Sequence, residues 1–169
     1  MAFSFDLLTG SNCVAVMGIL NLSPDSFYSG SYRSNVKEVL RTAEKMIEEG
    51  ANILDVGAES TRPGSTGVSI ELQWERLLPV ISKLSNSFDI PISVDTYKPE
   101  VGSAVLDQGA LVINDVSGLQ WGNDMALIVA KYGAGLVLMH MQGTPETMQE
   151  NPNYKDVVVE VLNFLRQSV

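Results

Sequence analysis

Polar side chains able to bind a flat heterocycle, a phosphate or a hard cation close five apolar runs of this 169-residue chain: Asn21, Asp55 with Glu59, Asp95, Asn114 with Asp115, and His140. Asp95 in Ser93-Val-Asp-Thr-Tyr97 and Asn114 in Ile113-Asn-Asp-Val-Ser117 form the sharpest pair. A carboxylate accepts from ring N–H and amino groups, while an amide both donates and accepts, so on neighbouring strands the two match a guanidine-like edge. Taken singly, each is explained as well by capping the turn that follows. Asn21 opens Asn21-Leu-Ser-Pro-Asp-Ser-Phe27, and its amide oxygen suits a Mg2+ that keeps waters and shares ligands with substrate phosphates. Asp25 adds a carboxylate and Phe27 a ring, although Ser-Pro-Asp-Ser alone is also a turn. In Glu59-Ser-Thr-Arg-Pro-Gly64, Arg62 can fork onto phosphate or carboxylate oxygens and Thr61 can donate one directed hydrogen bond. Pro63 and Gly64 shape the path of that loop, and a surface salt bridge is the plainer use of its arginine. Met139 suits packing against a flat ring or filling a core. His140, the single histidine, has no partner at zinc spacing and is assigned a supporting role.

Something must hold these groups on one rim. The runs Val14–Leu20, Ile53–Val56, Ile90–Val94, Leu111–Ile113 and Gly135–Met139 are nearly continuous in apolar residues, as parallel strands covered on both faces are. Helical spacing fills the intervals: Val36, Val39, Leu40, Ala43, Met46 and Ile47 before Gly50; Trp74, Leu77, Leu78 and Ile81; Val101, Ala104 and Val105 after Pro99. Met125, Ile128, Val129 and Tyr132 precede Gly133, and a last helix from about Asp156 carries Val158, Val161, Leu162 and Leu165. Loops after strands are long and polar, whereas those before strands are short. In a (β/α)8 barrel the site lies on that strand-end face, and an open doubly wound sheet places its ligand there too. Recurrence of polar ends on every strand suits a ring better than a single crevice. The expectation is therefore an α/β chain of the TIM (β/α)8 barrel family, covering about its first five βα units as a single domain over 1–169. A whole barrel takes about 250 residues. Open strand edges would follow, and with them a homo-oligomer or association through those edges.

Composition removes several classes. With 45% hydrophobic residues the chain can fill a sizeable core, and a formal charge of −9 lacks the basic face that nucleic acid requires. Cys13 is the only cysteine, so no intrachain disulfide forms and a reduced, cytoplasmic setting is expected. Neither a secretory leader nor an apolar run of membrane-spanning length is visible, so no membrane partner is expected.

Five ordered motifs cover nearly the whole chain: Met17-Gly-Ile-Leu-Asn-Leu-Ser-Pro-Asp-Ser-Phe27, Asp55-Val-Gly-Ala-Glu-Ser-Thr-Arg-Pro-Gly64, Ser93-Val-Asp-Thr96, Ile113-Asn-Asp-Val-Ser-Gly118 and Leu138-Met-His-Met-Gln-Gly143. Together they resemble dihydropteroate synthase, a (β/α)8-barrel family of folate synthesis and a sulfonamide target. Its members join 6-hydroxymethyl-7,8-dihydropterin pyrophosphate to p-aminobenzoate and release pyrophosphate. The resemblance implies that Asp95 and Asn114 bind the pterin edge, with Val116 and Met139 against the ring. It also implies that Asn21 helps hold Mg2+ on the pyrophosphate, and that Asp25 and Arg62 act as catalytic groups ordering two loops over it. Phe27, Thr61 and Pro63 would shape the p-aminobenzoate pocket. Pyrophosphate departure from a cation-like methylene, then attack by the aryl amine, would rest on positioning and charge stabilisation.

Ser23, Tyr28, Ala58 and Val116 depart from the usual motif residues. The family's last three strands carry a further Asp, a Lys, a basic segment and most of its dimer surface. Without counterparts of these, this chain alone is expected to be inactive or impaired. Two other readings stand beside the synthase. One is a non-catalytic pterin-binding or assembly half-barrel. The other, a methyltetrahydrofolate-dependent methyltransferase, is disfavoured because a methyl donor has no pyrophosphate for the first two loops to manage.

Overall fold

The computed structural model describes residues 2–10, 14–22, 32–59, 67–121, 124–144 and 146–168. Strands β1 (Met17–Asn21), β2 (Ile53–Gly57), β3 (Ile92–Asp95), β4 (Val112–Asp115) and β5 (Gly135–Leu138) alternate with helices. The helices are α1 (Asp6–Thr9), α2 (Tyr32–Glu48), α3 (Ile70–Ser87), α4 (Pro99–Asp107), α5 (Asp124–Tyr132) and α6 (Val157–Ser168). All strand pairs are parallel and their spatial order is β1-β2-β3-β4-β5. A doubly wound sheet reverses its order at a switch point, and this one does not. The strands make an arc of a (β/α)8 barrel, with one strand neighbour each for β1 and β5 among the described residues.

Strand alternation separates two faces. Leu20, Leu54, Val56, Ile92, Val94 and Ile113 are buried on the outer face with Val39 and Ala43 of α2, Leu77, Ile81 and Leu84 of α3, Val101 and Val105 of α4, and Met125 of α5. Each of these side chains larger than alanine contributes about 1.5–3 kcal/mol when fully buried. Asn21, Asp55, Ser93, Asp95 and Asn114 alternate with these residues and therefore face inward. The change of face within β1 is sharp: Ile19 is 60% exposed and Leu20 0%. Ser69 caps α3, its hydroxyl accepting from Leu72 N at 3.3 Å, and Pro99 starts α4 where a missing N–H costs nothing.

Each apolar run finds its strand, but four strand ends move toward the C-terminus. Asn21, Gly57, Asp95, Asn114 and Asp115 lie inside strands rather than after them, because the register continues through Asn21↔Gly57, Gly57↔Asp95 and Asp95↔Asn114. Backbone pairing does not stop where apolar side chains do. At the other end of β1, Val14 and Val16 precede the strand and are exposed. The last helix forms near its expected position, yet none of its residues is buried, and Val158 and Leu162 face solvent. It reaches the body through Phe164, whose ring meets His140 edge-on at 4.7 Å. Helix α1 is too short for periodicity to announce. Among the described residues no helix is long and apolar enough to cross a membrane.

Candidate functional site

The strand register carries Asn21, Gly57, Asp95 and Asn114 in one row across the inner face. One row deeper stands Asp55, level with Ser93. Its buried carboxylate accepts from Ser93 Oγ at 2.6 Å and from Asn114 Nδ2 at 3.1 Å. Asp95 and Asn114, separated in sequence by a whole βα unit, are register partners, so the expected pairing of a carboxylate beside an amide is present. Burial pushes the Asp95 carboxyl up from its usual 3.8 to about 7, and the negative charges of Asp55, Glu59 and Asp115 push the same way. Near neutral pH it is therefore divided between an acid that donates and a carboxylate that accepts.

Gly57 leaves an opening in that row. A Cβ built on it would lie 3.4 Å from Asn21 Oδ1 and 3.6 Å from Asp95 Oδ2, so both oxygens border one gap. Two oxygen donors suit a hard cation. Among the described residues no group of three His, Cys, Asp or Glu could hold a metal.

Beyond β4, Asp115 fixes the turn that carries Val116: its two oxygens accept from Ser117 N at 2.8 Å and Leu119 N at 3.0 Å. These bonds hold Leu119 at φ 62°, a left-handed conformation unusual for a leucine. Val116 is buried there, and Met139 is tied alongside by its N–H, which donates to Asp115 O at 3.2 Å. Five of the expected site residues, Asn21, Asp95, Asn114, Val116 and Met139, thus stand at the ends of β1, β3, β4 and β5. Asp25, Phe27, Thr61, Arg62 and Pro63 lie outside the described residues, as do Ser23 and Tyr28.

A second polar cluster, centred on Glu59, is absent from the sequence reading. Lys98 Nζ pairs with Glu59 Oε2 at 2.9 Å and also donates to the carbonyl of Val68. Gln73 Nε2 donates to Glu59 Oε2 at 2.5 Å, and Tyr97 Oη to Glu59 Oε1 at 3.1 Å. Since Glu59 precedes and Val68 follows segment 60–66, Lys98 ties the two flanks of that segment together. Burial, the charge of Glu59 and the hydrogen bond to it push the Tyr97 hydroxyl up to about 12, so it remains a donor. Tyr97 also packs edge-on against Trp121 at 4.4 Å. Gln73 carried a usable signal, being polar on the buried face that runs Gln73, Leu77, Val80, Ile81, Leu84. Lys98 carried none, since a lysine before Pro99-Glu100 reads only as a helix entry.

An amide and a proton-sharing carboxyl side by side at the strand ends have the chemistry to meet a flat heterocycle with a donor-rich edge. Residues 17–169 match the pterin binding enzyme family, and the chain belongs to it. Dihydropteroate synthase of Escherichia coli K12 is 44% identical over 154 residues, covering 91% of this chain and 54% of that protein. Among solved structures, Yersinia pestis dihydropteroate synthase in a sulfonamide complex superposes with a TM-score of 0.80 at 40% identity, covering 91% of this chain and 55% of that one. The Xanthomonas albilineans enzyme with 4-aminobenzoic acid gives a TM-score of 0.78 at 42% identity, covering 91% and 54%. The chain spans about half the length of the curated relatives it matches.

Proposed function

We propose that this chain is the pterin-binding domain, over 1–169, of a dihydropteroate synthase. That transferase condenses 6-hydroxymethyl-7,8-dihydropterin pyrophosphate with p-aminobenzoate to give 7,8-dihydropteroate and pyrophosphate. The observation that carries this reading is the register pairing of Asp95 with Asn114 on the inner face of a chain from the pterin binding family. Asp95 and Asn114 take the pterin edge, and Val116 and Met139 take its ring. Phe27, Thr61 and Pro63 receive p-aminobenzoate, whose relative-bound counterpart is the 4-aminobenzoic acid of the Xanthomonas enzyme. Asp25 and Arg62 meet the pyrophosphate, and Asn21 offers an oxygen to Mg2+. That ion, when bound, neutralises the leaving group.

In the reaction the methylene C–O bond breaks with its electron pair going to pyrophosphate. The amine lone pair then forms the C–N bond, and the amine proton passes to solvent. The residues named here orient the two rings and stabilise charge; none need act as a strong base. The lone Cys13 favours a cytoplasmic setting, and the edges of β1 and β5 are assigned to strand pairing with another copy or another polypeptide. Sedimentation of the purified chain as a well-behaved monomer would refute that association.

Calorimetric titration with the pterin pyrophosphate and Mg2+ should show saturable binding that Asp95→Ala abolishes. Absence of binding by the unaltered chain would overturn the reading. A second reading is pterin binding without transfer. Labelled p-aminobenzoate separates the two, since its conversion to labelled dihydropteroate requires the full synthase chemistry.

A further inference from the structure

Asp55 occupies the centre of the inner face and has no part in the chemistry above. It is 5% exposed, with Ser93 Oγ donating to one carboxylate oxygen and Asn114 Nδ2 to the other. Ser93 is itself fully buried. An ionised carboxylate only accepts, so the Asn114 atom that faces it must be the amide nitrogen, and the amide oxygen is turned away from it. Flipping that amide would set Oδ1 against the carboxylate, two acceptors with no proton between them in a site shielded from water.

We infer that Asp55 is a positioning residue that fixes the Asn114 amide with its oxygen toward the ligand, so that the site selects rings presenting an amino or N–H donor there over rings presenting a carbonyl. This rests on the pterin reading and specifies it. An untethered asparagine would turn either end to the ligand at little cost and bind both kinds of ring alike. A tethered one rejects the carbonyl ring, because a buried acceptor would then meet an acceptor. Sites built around such a polar match discriminate by tenfold or much more, on the order of the loss of one buried hydrogen bond.

The test is a fluorescence titration of the whole chain with 6-hydroxymethylpterin and with 6-hydroxymethyllumazine, in which a carbonyl replaces the 2-amino group. The unaltered chain should prefer the pterin by about tenfold or more. Asp55→Asn has the same shape but can either accept from or donate to Asn114, so the preference should fall toward one. A residue that merely supported the fold would weaken both rings together and leave the ratio unchanged, and that result overturns the inference. Should Asp55→Asn fail to fold, Ser93→Ala decides, since it removes one of the two donors holding Asp55. Its ratio should shrink by about twofold to threefold, and an unchanged ratio counts against the role. An unaltered chain that binds both rings equally overturns the role of Asp55 alone, whereas one that binds neither removes the pterin reading and this role with it.

Discussion

The two faces of the sheet are built from alternate residues of the same strands, and opposite physics governs them. Along β2, Leu54 and Val56 face the helices and are sealed from water, while Asp55 between them faces inward and is buried as a polar side chain. Along β3, Ile92 and Val94 face outward, and Ser93 and Asp95 inward. Burial stabilises the outer face in proportion to apolar area and independently of pH. On the inner face burial costs stability, because carboxylates lose their hydration. Each acid meets that cost differently. Asp55 accepts from two neutral donors, Glu59 is paired with Lys98, and Asp95 is pushed upward instead. One face therefore supports the fold, while the other is held in a less stable, chemically useful state.

Four single substitutions, one of them also combined with a fifth, test that division. Leu54→Ala should cost about 2–5 kcal/mol through lost contacts and a cavity. It should read as a lower urea midpoint at unchanged slope, with pterin affinity of the folded protein retained. Loss of affinity at full stability would break the contrast.

Asp95→Asn should act with the opposite sign. The folded chain keeps the Asp95 proton to a pH of about 7, whereas the unfolded chain releases it near 3.8. Below the lower value both states are protonated and nothing is lost. Between the two, stability falls as pH rises, and above about 7 the full penalty applies, up to about 4 kcal/mol. The variant should therefore be more stable than its parent at about pH 8 and similar at about pH 3, while losing pterin binding. Paired denaturation curves at the two pH values decide this, and a variant less stable at the higher pH would sink it.

Lys98→Met leaves Glu59 without its cation in a cluster whose two side chains are only 18% and 11% exposed, and should cost about 3 kcal/mol. Combining it with Glu59→Gln should restore part of that loss, as a double-mutant cycle would measure. Strict additivity would place the pair among surface bridges of little consequence. The smallest effect on stability belongs to Gly57→Ala. The added methyl would stand at ordinary contact, 3.4 Å from Asn21 Oδ1 and 3.5 Å from Asp95 Cβ. It should cost less than about 1 kcal/mol yet lower ligand affinity several-fold by filling the gap, which titration would reveal.

The helix-facing residues were legible because apolar periodicity is local: Val39, Ala43, Leu77, Ile81, Val101 and Val105 are where their spacing puts them. Asp95 and Asn114 were legible as well, since each ends an apolar run and neighbouring parallel strands bring such ends together. Less was visible at α6, whose apolar residues keep helical spacing although nothing among the described residues covers Val158 or Leu162. Glu59 could be recognised as a strand-end acid and Gln73 as a polar residue on a buried helix face, but the joining of the two with Tyr97 and Lys98 could not. Gln73, Tyr97 and Lys98 come from a helix and a different loop.

What the sequence by itself determined is the alternation of strand and helix, the five apolar runs that become strands and the packed faces of the helices between them. Those follow from runs of apolar residues and from a helical period of 3.6 residues, which operate within a dozen positions. Only the tertiary structure decided how the polar groups are joined: Asp55 reaches Ser93 across 38 residues and Asn114 across 59, and Glu59 reaches Lys98 across 39. It also decided that Asp95 holds its proton to about pH 7, since that depends on the loss of water and on three carboxylates brought near by other parts of the chain. Register and desolvation are properties of the assembled sheet, and no local pattern of residue types encodes them.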